Sequence, residues 1–319
     1  MNFRTYEDLA NILNNNLHKI PSDVDLVVGI PKSGLMVASM ISLYLNLPLS
    51  DLDLLLSDSM YASGTTKVKK TWISKPSDAR KILIVDDSSI SGTALNEAKE
   101  KIKKSKYKNK VIFLVVFVNE KTKKLPDLYF DICPSPRMFE WNYMHHGLLE
   151  QACVDIDGVL CRDPSEEEND DGKKYIKFIK TVKPRVVPTR KIGYLVTSRL
   201  EKYRSQTEYW LSKNNIQYDQ LIMMNLSSKE ERIKLGNHGS FKGEQYKKLP
   251  NTVIFIESSK NQAQTIANVS GKDVFCVEDS KLYRPSFDCL DVNESKIRRL
   301  FRKVVPFKIR KKLKKMFKK

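Results

Sequence analysis

Residues 81–94, Lys-Ile-Leu-Ile-Val-Asp-Asp-Ser-Ser-Ile-Ser-Gly-Thr-Ala, constrain this chain more than any other stretch. Residues 82–85 are apolar and largely β-branched, which predicts a strand buried on both faces of a parallel sheet. Two carboxylates, Asp86 and Asp87, close it, and a helix is expected over residues 94–105. In open α/β sheets, ligands bind beyond the carboxyl ends of strands, where loops feed helix N-termini. The loop between them (Ser88, Ser89, Ile90, Ser91, Gly92, Thr93, Ala94) can aim N–H groups and the Ser91 and Thr93 hydroxyls at a phosphate. Gly92 permits close approach of the backbone. Asp86 and Asp87 then face whatever sugar carries that phosphate.

These residues resemble the phosphoribosyl pyrophosphate (PRPP) signature of type I phosphoribosyltransferases. Ser91 and Gly92 match the pattern, while Ala94 stands where a second hydroxyl is usual. A response-regulator receiver also opens on paired acids, but it needs a phosphoacceptor Asp ending a later strand. The next strong strand, residues 111–118, ends in Asn119-Glu120. Upstream, the expected strand 25–30 runs into Pro31-Lys32-Ser33-Gly34 and an apolar helix over 35–45. A small-residue turn with one lysine suits a diphosphate, and the resemblance makes it the pyrophosphate loop. The same resemblance makes the polar, basic stretch 57–75 a closing lid charged by Lys67, Lys69 and Lys70. Such a lid would keep water from a reactive sugar cation. Read without the resemblance, it is a solvated hairpin or loop.

Leu9, Ile12, Leu13 and Leu17 give residues 3–20 helical amphipathicity, and residues 128–133 read as the last strand before residue 134. The segment 134–146 crowds Arg137, Glu140, Trp141, Tyr143, His145 and His146 together. It reads equally as the domain's structural edge or as a hood selecting an acceptor. A hydroxyl acceptor needs a carboxylate base, for which Asp53, Asp58 and Glu140 are candidates.

Residues 151–160, Gln-Ala-Cys-Val-Asp-Ile-Asp-Gly-Val-Leu, form a second strand-end constellation. Asp155 and Asp157, two apart, point to one side of an extended segment, and Gly158 permits a sharp departure. This resembles the first motif of the haloacid dehalogenase superfamily. The resemblance then implies a strand over 192–196 leading to the phosphate-binding Thr197 and Ser198. It implies Lys242, opening a helix, as the third-motif lysine, with Lys229 and Lys234 as rivals. It implies Glu257, ending a strand over 253–256, as the metal carboxylate. Asp155 would be the nucleophile and Asp157 the acid and base, with Mg²⁺ held by Asp155, Asp157 and Glu257. A domain that has lost this chemistry and serves as scaffold is the alternative. The acidic run 163–171 reads as a solvated loop, and the short interval before residue 192 predicts little cap over the site.

The chain has 319 residues, a net charge of +18 and five scattered cysteines without metal-ligand spacing. No apolar run is long enough to span a bilayer, no secretory leader is visible, and a reducing compartment is expected. Thirteen Lys and Arg with no acid lie from Lys296 onward. There Ile309, Leu313, Met316 and Phe317 share one helical face, which suits an anionic membrane surface better than nucleic acid.

The expected fold class is α/β: a phosphoribosyltransferase domain (1–147), a haloacid dehalogenase-like phosphatase (148–292) and a basic amphipathic tail (293–319). The whole chain resembles bacterial polysaccharide-assembly proteins that join these two domains. That resemblance implies transfer of phosphoribofuranose from PRPP to a glycan acceptor, commonly lipid-linked, followed by removal of the 5-phosphate. It implies Mg²⁺ and a place at the inner face of the cytoplasmic membrane, in capsule or O-antigen synthesis. A nucleobase phosphoribosyltransferase fused to a nucleotidase, and a non-catalytic PRPP sensor, are the alternatives.

Overall fold

The structure, a computed structural model, describes residues 1–62, 73–236 and 238–286. The lid lysines Lys67, Lys69 and Lys70 and the tail 293–319 lie outside the described residues. The chain divides into two units, Met1–Tyr143 and Met144–Lys319.

The first unit contains β1 (Asn2–Arg4), α1 (Tyr6–Asn16), β2 (Val24–Gly29), α2 (Ser33–Leu45), β3 (Leu49–Asp51), α3 (Leu52–Leu56), β4 (Lys81–Ser88), α4 (Thr93–Lys103), β5 (Val111–Val118), β6 (Leu128–Ile132) and β7 (Arg137–Phe139). Five strands form a parallel sheet in the order β3-β2-β4-β5-β6. β4 is the central strand, and its residues 82–87 are buried, as its continuous apolar run dictates. Two apolar clusters cover the sheet. One holds Leu9, Leu13, Val37 and Ile41 from α1 and α2, and the other holds Leu95, Ala98 and Ile102 from α4.

The amphipathic N-terminal stretch is not one helix. Thr5 takes the N-cap position and forms a capping box with Asp8, so α1 starts at Tyr6. The residues before it extend, and β1 pairs in parallel with β7.

The second unit carries β8 (Ala152–Val154), α5 (Lys173–Thr181), β9 (Ile192–Leu200), α6 (Arg204–Lys213), β10 (Tyr218–Met224), α7 (Lys229–Leu235), α8 (His238–Lys247), β11 (Ile254–Glu257), α9 (Lys260–Ser270), β12 (Val274–Cys276) and β13 (Lys281–Tyr283). Its sheet runs β10-β9-β8-β11-β12-β13, parallel except for β13. β8, first in sequence, is central. It places Asp155 and Asp157 between the ends of β9 and β11, the position a ligand site takes in such sheets.

Lys242 lies inside α8 rather than at its start, because the helix begins four residues earlier at His238. The acidic run is a loop with Asp163, Glu166, Glu167 and Asp170 exposed, and some of its acids also hold partners. Asp170 accepts the backbone N–H groups of Gly172, Lys174 and Tyr175 at the start of α5. Asp171 accepts from Lys202 and Tyr203 at 2.8 and 2.7 Å. The four described cysteines, Cys133, Cys153, Cys161 and Cys276, are free and buried. Among the described residues no helix is long and apolar enough to cross a membrane.

Candidate functional site

In the first unit, α2 starts hard against the central strand. A Cβ on Gly34 would meet the Val85 carbonyl oxygen at 2.6 Å, so only glycine allows this approach. Lys32 is exposed at the N-cap of α2. Ser33 Oγ donates to Asp87 Oδ1 at 2.7 Å, and the Pro31–Lys32 peptide is cis. The turn from β2 and the acids of β4 therefore meet at Asp87.

The loop after β4 is braced from β5. Asn119 Nδ2 donates to the Ile90 carbonyl at 2.9 Å, and Thr122 Oγ1 donates to that of Ser89 at 3.1 Å. Gly92 has φ +82° and is the N-cap of α4, a conformation that favours glycine. Ser91 Oγ and Thr93 Oγ1 lie 2.9 Å apart and exposed. Ala94 is exposed without a polar group, and Ser88 is half-buried. Ser89 Oγ is buried with no hydrogen-bond partner among the described residues.

Asp86 is buried, and burial first, then the Asp87 charge, push its carboxyl up to about 8. Asp86 thus favours its protonated form near neutrality. Asp87 has a partner that sequence reasoning missed: Trp141 Nε1 donates to its Oδ2 at 2.7 Å. Trp141 stacks on Phe139 with ring centroids 4.8 Å apart. Its neighbour Glu140 accepts the Tyr6 N–H at 2.8 Å, at the start of α1. Asp58 is engaged by Lys106, Tyr107 and Ser77, and the first two hold its carboxyl well below the usual range. Asp53 is exposed, 3.7 Å from Lys101. Of the three base candidates, Glu140 alone adjoins a residue that touches the acid pair. Arg137 is buried and donates to the Phe117 and Cys133 carbonyls. His145 and His146 engage Thr189 and the Leu148 N–H.

In the second unit, three neighbouring strand ends converge. Lys242 Nζ lies 2.5 Å from Asp155 Oδ2, 2.8 Å from Glu257 Oε2 and 2.9 Å from Gln262 Oε1. All three charged groups are buried. Burial would lower the Lys242 pKa, but Asp155 and Glu257 outweigh it and hold the ammonium charged. Burial pushes Asp155 up, Lys242 opposes, and the Glu257 and Asp157 charges add to the rise. Lys229 Nζ instead meets the Asn169 carbonyl.

Asp157 takes a bidentate pair from the fully buried Arg199, at 2.6 and 3.0 Å. Arg199 follows the expected Thr197-Ser198 pair directly, and sequence reasoning gave it no role. Thr197 is buried in β9, which continues to Leu200, and Thr197 Oγ1 accepts the Arg199 N–H at 3.3 Å. Ser198 follows it, half-buried. Gly158 has φ +78°, and a Cβ there would strike Ser258 Oγ at 2.3 Å. Ser258 Oγ donates to the Asp157 carbonyl at 3.3 Å, which ties that carbonyl to the Glu257 strand end. The donor set is oxygen only, and the Asp155 and Glu257 carboxylates face a single lysine, a chemistry that suits Mg²⁺. Among the described residues, no three carboxylate, imidazole or thiol groups converge on one metal position.

Residues 3–151, just under half the chain, match the phosphoribosyl transferase domain family. The first unit is therefore a domain of phosphoribosyltransferase type. Similar solved structures include the purine phosphoribosyltransferase from Pyrococcus horikoshii Ot3, at 20% identity over 44% of this chain and 95% of that one, TM-score 0.32. Another is the xanthine-guanine-hypoxanthine phosphoribosyltransferase of Helicobacter pylori, at 16% identity over 44% and 90%, TM-score 0.31. A longer match, to a chain of the Pnkp1/Rnl/Hen1 complex, covers 89% of this chain and 96% of that one at 14% identity and TM-score 0.28. No curated protein matches the sequence.

Proposed function

We propose that this chain is a two-step enzyme. It transfers 5-phosphoribofuranose from PRPP to a glycan hydroxyl and then removes the 5-phosphate. One observation carries the reading: a phosphoribosyltransferase-type domain and the buried Asp155–Lys242–Glu257 cluster occur in one chain. A phosphomonoesterase beside a nucleotide-forming enzyme would destroy its product. Beside a glycan ribosyltransferase, it finishes the product as plain ribofuranoside. The family match alone is equally compatible with a nucleobase acceptor, and our preference for a glycan rests on reading the second site as a phosphatase.

In the first step the acceptor oxygen attacks C1 of PRPP and the C1–O bond to pyrophosphate breaks. The acceptor proton passes to a carboxylate, for which Glu140 is our assignment, and attack opposite the leaving group gives the β-ribofuranoside. Pro31, Lys32, Ser33 and Gly34 receive the pyrophosphate. The loop from Ser88 to Ala94 receives the 5-phosphate. Asp86 and Asp87 hold the ribose hydroxyls and support the cationic sugar.

In the second step Asp155 attacks the phosphorus and the ester P–O bond breaks. The departing sugar oxygen takes a proton from Asp157, which then draws one from water as the aspartyl phosphate is hydrolysed. Thr197, Ser198 and Lys242 hold the phosphate oxygens, and Arg199 orients Asp157. Mg²⁺, held by Asp155, Glu257 and the Asp157 carbonyl, would offset the phosphate charge.

The basic tail would bring the protein to an anionic membrane surface bearing a lipid-linked acceptor, at the inner face of the cytoplasmic membrane in capsule or O-antigen assembly. Each nearby Lys or Arg adds about 1 kcal/mol. Pyrophosphate release from PRPP tests the proposal. Release that depends on a glycan acceptor supports it, and release that depends on a nucleobase overturns it. PRPP binding without release under any acceptor points to a sensor.

A further inference from the structure

The second unit holds a cleft that neither step above uses. A cavity of 620 Å³ is walled by Arg162, Phe178, Val182, Lys183 and Arg185 among others. A second, of 330 Å³, shares Arg162 and Arg185 with it and reaches Gly158 and Ser258. The two adjoin at Arg162 and Arg185, and their walls run from Gly158 to Thr181 at the C-terminal end of α5. Arg185 Nη1 donates to the Gly158 carbonyl at 3.0 Å.

The charges along these walls are uneven. Arg162 is neutralised by Glu168 through contacts of 2.6 and 2.7 Å and lies over the Phe178 ring at 4.9 Å. Asp163 and Glu278 line the smaller, inner cavity, where Glu278 pairs with Lys260 at 3.8 Å and Asp163 feels the Arg185 charge. Lys183 and Arg185, both exposed, form no ion pair with any described residue. The outer cavity is therefore left positive, beyond an inner region that is nearly neutral. Two cations without a direct ion pair in a concave wall concentrate the field on an anion, even with Asp163 acting on Arg185 through space.

We infer that this cleft binds a second anionic group, carboxylate or phosphate, on the phosphomonoester that Asp155 attacks. The substrate of the second unit is then polyanionic. Its scissile phosphate sits at the strand ends and its other charge sits between Lys183 and Arg185. This rests on the phosphatase reading of Asp155 and adds to it the class of group attached to the ribose.

Three synthetic probes test it: 5-phosphoribosides of glucose, of glucuronic acid and of glucose 6-phosphate, with hydrolysis of the ribosyl 5-phosphate followed by mass spectrometry. Wild-type kcat/KM should be at least about tenfold higher for an anionic probe than for the neutral one. The glucuronic acid and glucose 6-phosphate arms distinguish carboxylate from phosphate as the group selected. Lys183→Glu should collapse that ratio to one or below, and raising the salt should shrink it in the wild type. The ratio is insensitive to partial loss of folded protein, so a less stable variant does not blur the result. A wild-type ratio near one, or a ratio unmoved by Lys183→Glu, overturns the inference and leaves the phosphatase reading intact. Hydrolysis of none of the probes overturns both.

Discussion

Trp141 donates its indole N–H to Asp87 Oδ2 at 2.7 Å across 54 residues of sequence, while Ser33 holds the other carboxylate oxygen at 2.7 Å. Asp87 is thus fixed from both sides before any sugar arrives. Trp141→Phe should keep the stack on Phe139 and lose only this hydrogen bond. A bond to a charged group contributes about 1.5–3 kcal/mol, so unfolding should shift by an amount of that order. With Asp87 freed on one side, the PRPP dissociation constant, read by titration calorimetry, should rise several-fold. An unchanged value would show that Ser33 alone orients the carboxylate.

The acid pair also predicts a pH dependence of stability. The Asp86 carboxyl is pushed up from 3.8 to about 8 in the folded protein, so folding favours its protonated form. Its contribution is fully present below the ordinary carboxyl value and is lost as pH rises through about 8. Wild-type stability of the first unit should fall between pH 5 and 8, by on the order of a few kcal/mol. Asp86→Asn should flatten that decline. Urea unfolding read by fluorescence in a Trp72→Phe, Trp210→Phe background, where Trp141 alone reports, measures it, and equal slopes with and without Asp86→Asn would refute the raised Asp86 carboxyl.

Lys242 is the cation shared by Asp155 and Glu257. Lys242→Met leaves both carboxylates buried without it, which costs about 3–5 kcal/mol. Adding Glu257→Gln should restore part of the loss. Unfolding followed by fluorescence in a Trp72→Phe, Trp141→Phe background, where the buried Trp210 alone reports, follows this unit. No recovery in the double variant would mean that Lys242 stabilises mainly through packing.

Asp155→Asn is nearly isosteric but removes the negative nucleophile. On the proposed sequence of reactions, PRPP and acceptor should then yield a glycan carrying pentose plus one phosphate, visible by mass spectrometry. A general phosphatase should convert it to the wild-type product. Plain ribofuranoside from this variant would show that phosphate removal does not depend on Asp155.

Deleting residues 307–319 should release the protein from anionic vesicles in a sedimentation assay and leave activity on a short acceptor nearly unchanged. Binding that persists in the truncated protein, or that ignores salt, would assign membrane contact to another surface.

The sequence made β4 and β5 legible because each is a continuous apolar run, which few structures other than a central strand accommodate. It marked Asp86, Asp87, Asp155 and Asp157, because acids that close an apolar run must lie at the end of the strand that run forms. It also singled out Lys242, although that residue's helix starts earlier than its spacing suggested. The short strands β1 and β7 could not be read, since three residues carry no periodicity and pair only across the unit. Trp141 and Arg199 were hidden for a similar reason: each acts through a carboxylate far away in sequence. Arg199 did carry one usable signal, its place right after Thr197-Ser198. The acidic run is the solvated loop its charge suggested, with Asp163, Glu166, Glu167 and Asp170 exposed, but nothing in the sequence showed that Asp170 also caps α5.

The parallel pairing of β1 with β7 has a consequence for how the protein is made. Asn2–Arg4 lie beside a strand that is translated more than a hundred residues later, and Trp141 follows that strand by two positions. The strand that carries Asp86 and Asp87 is translated some 54 residues before Trp141. The contact that fixes Asp87 must wait for Trp141 itself. The donor site of this unit therefore matures at a single late moment of synthesis, and a nascent chain displays its two acids well before it can hold them in place.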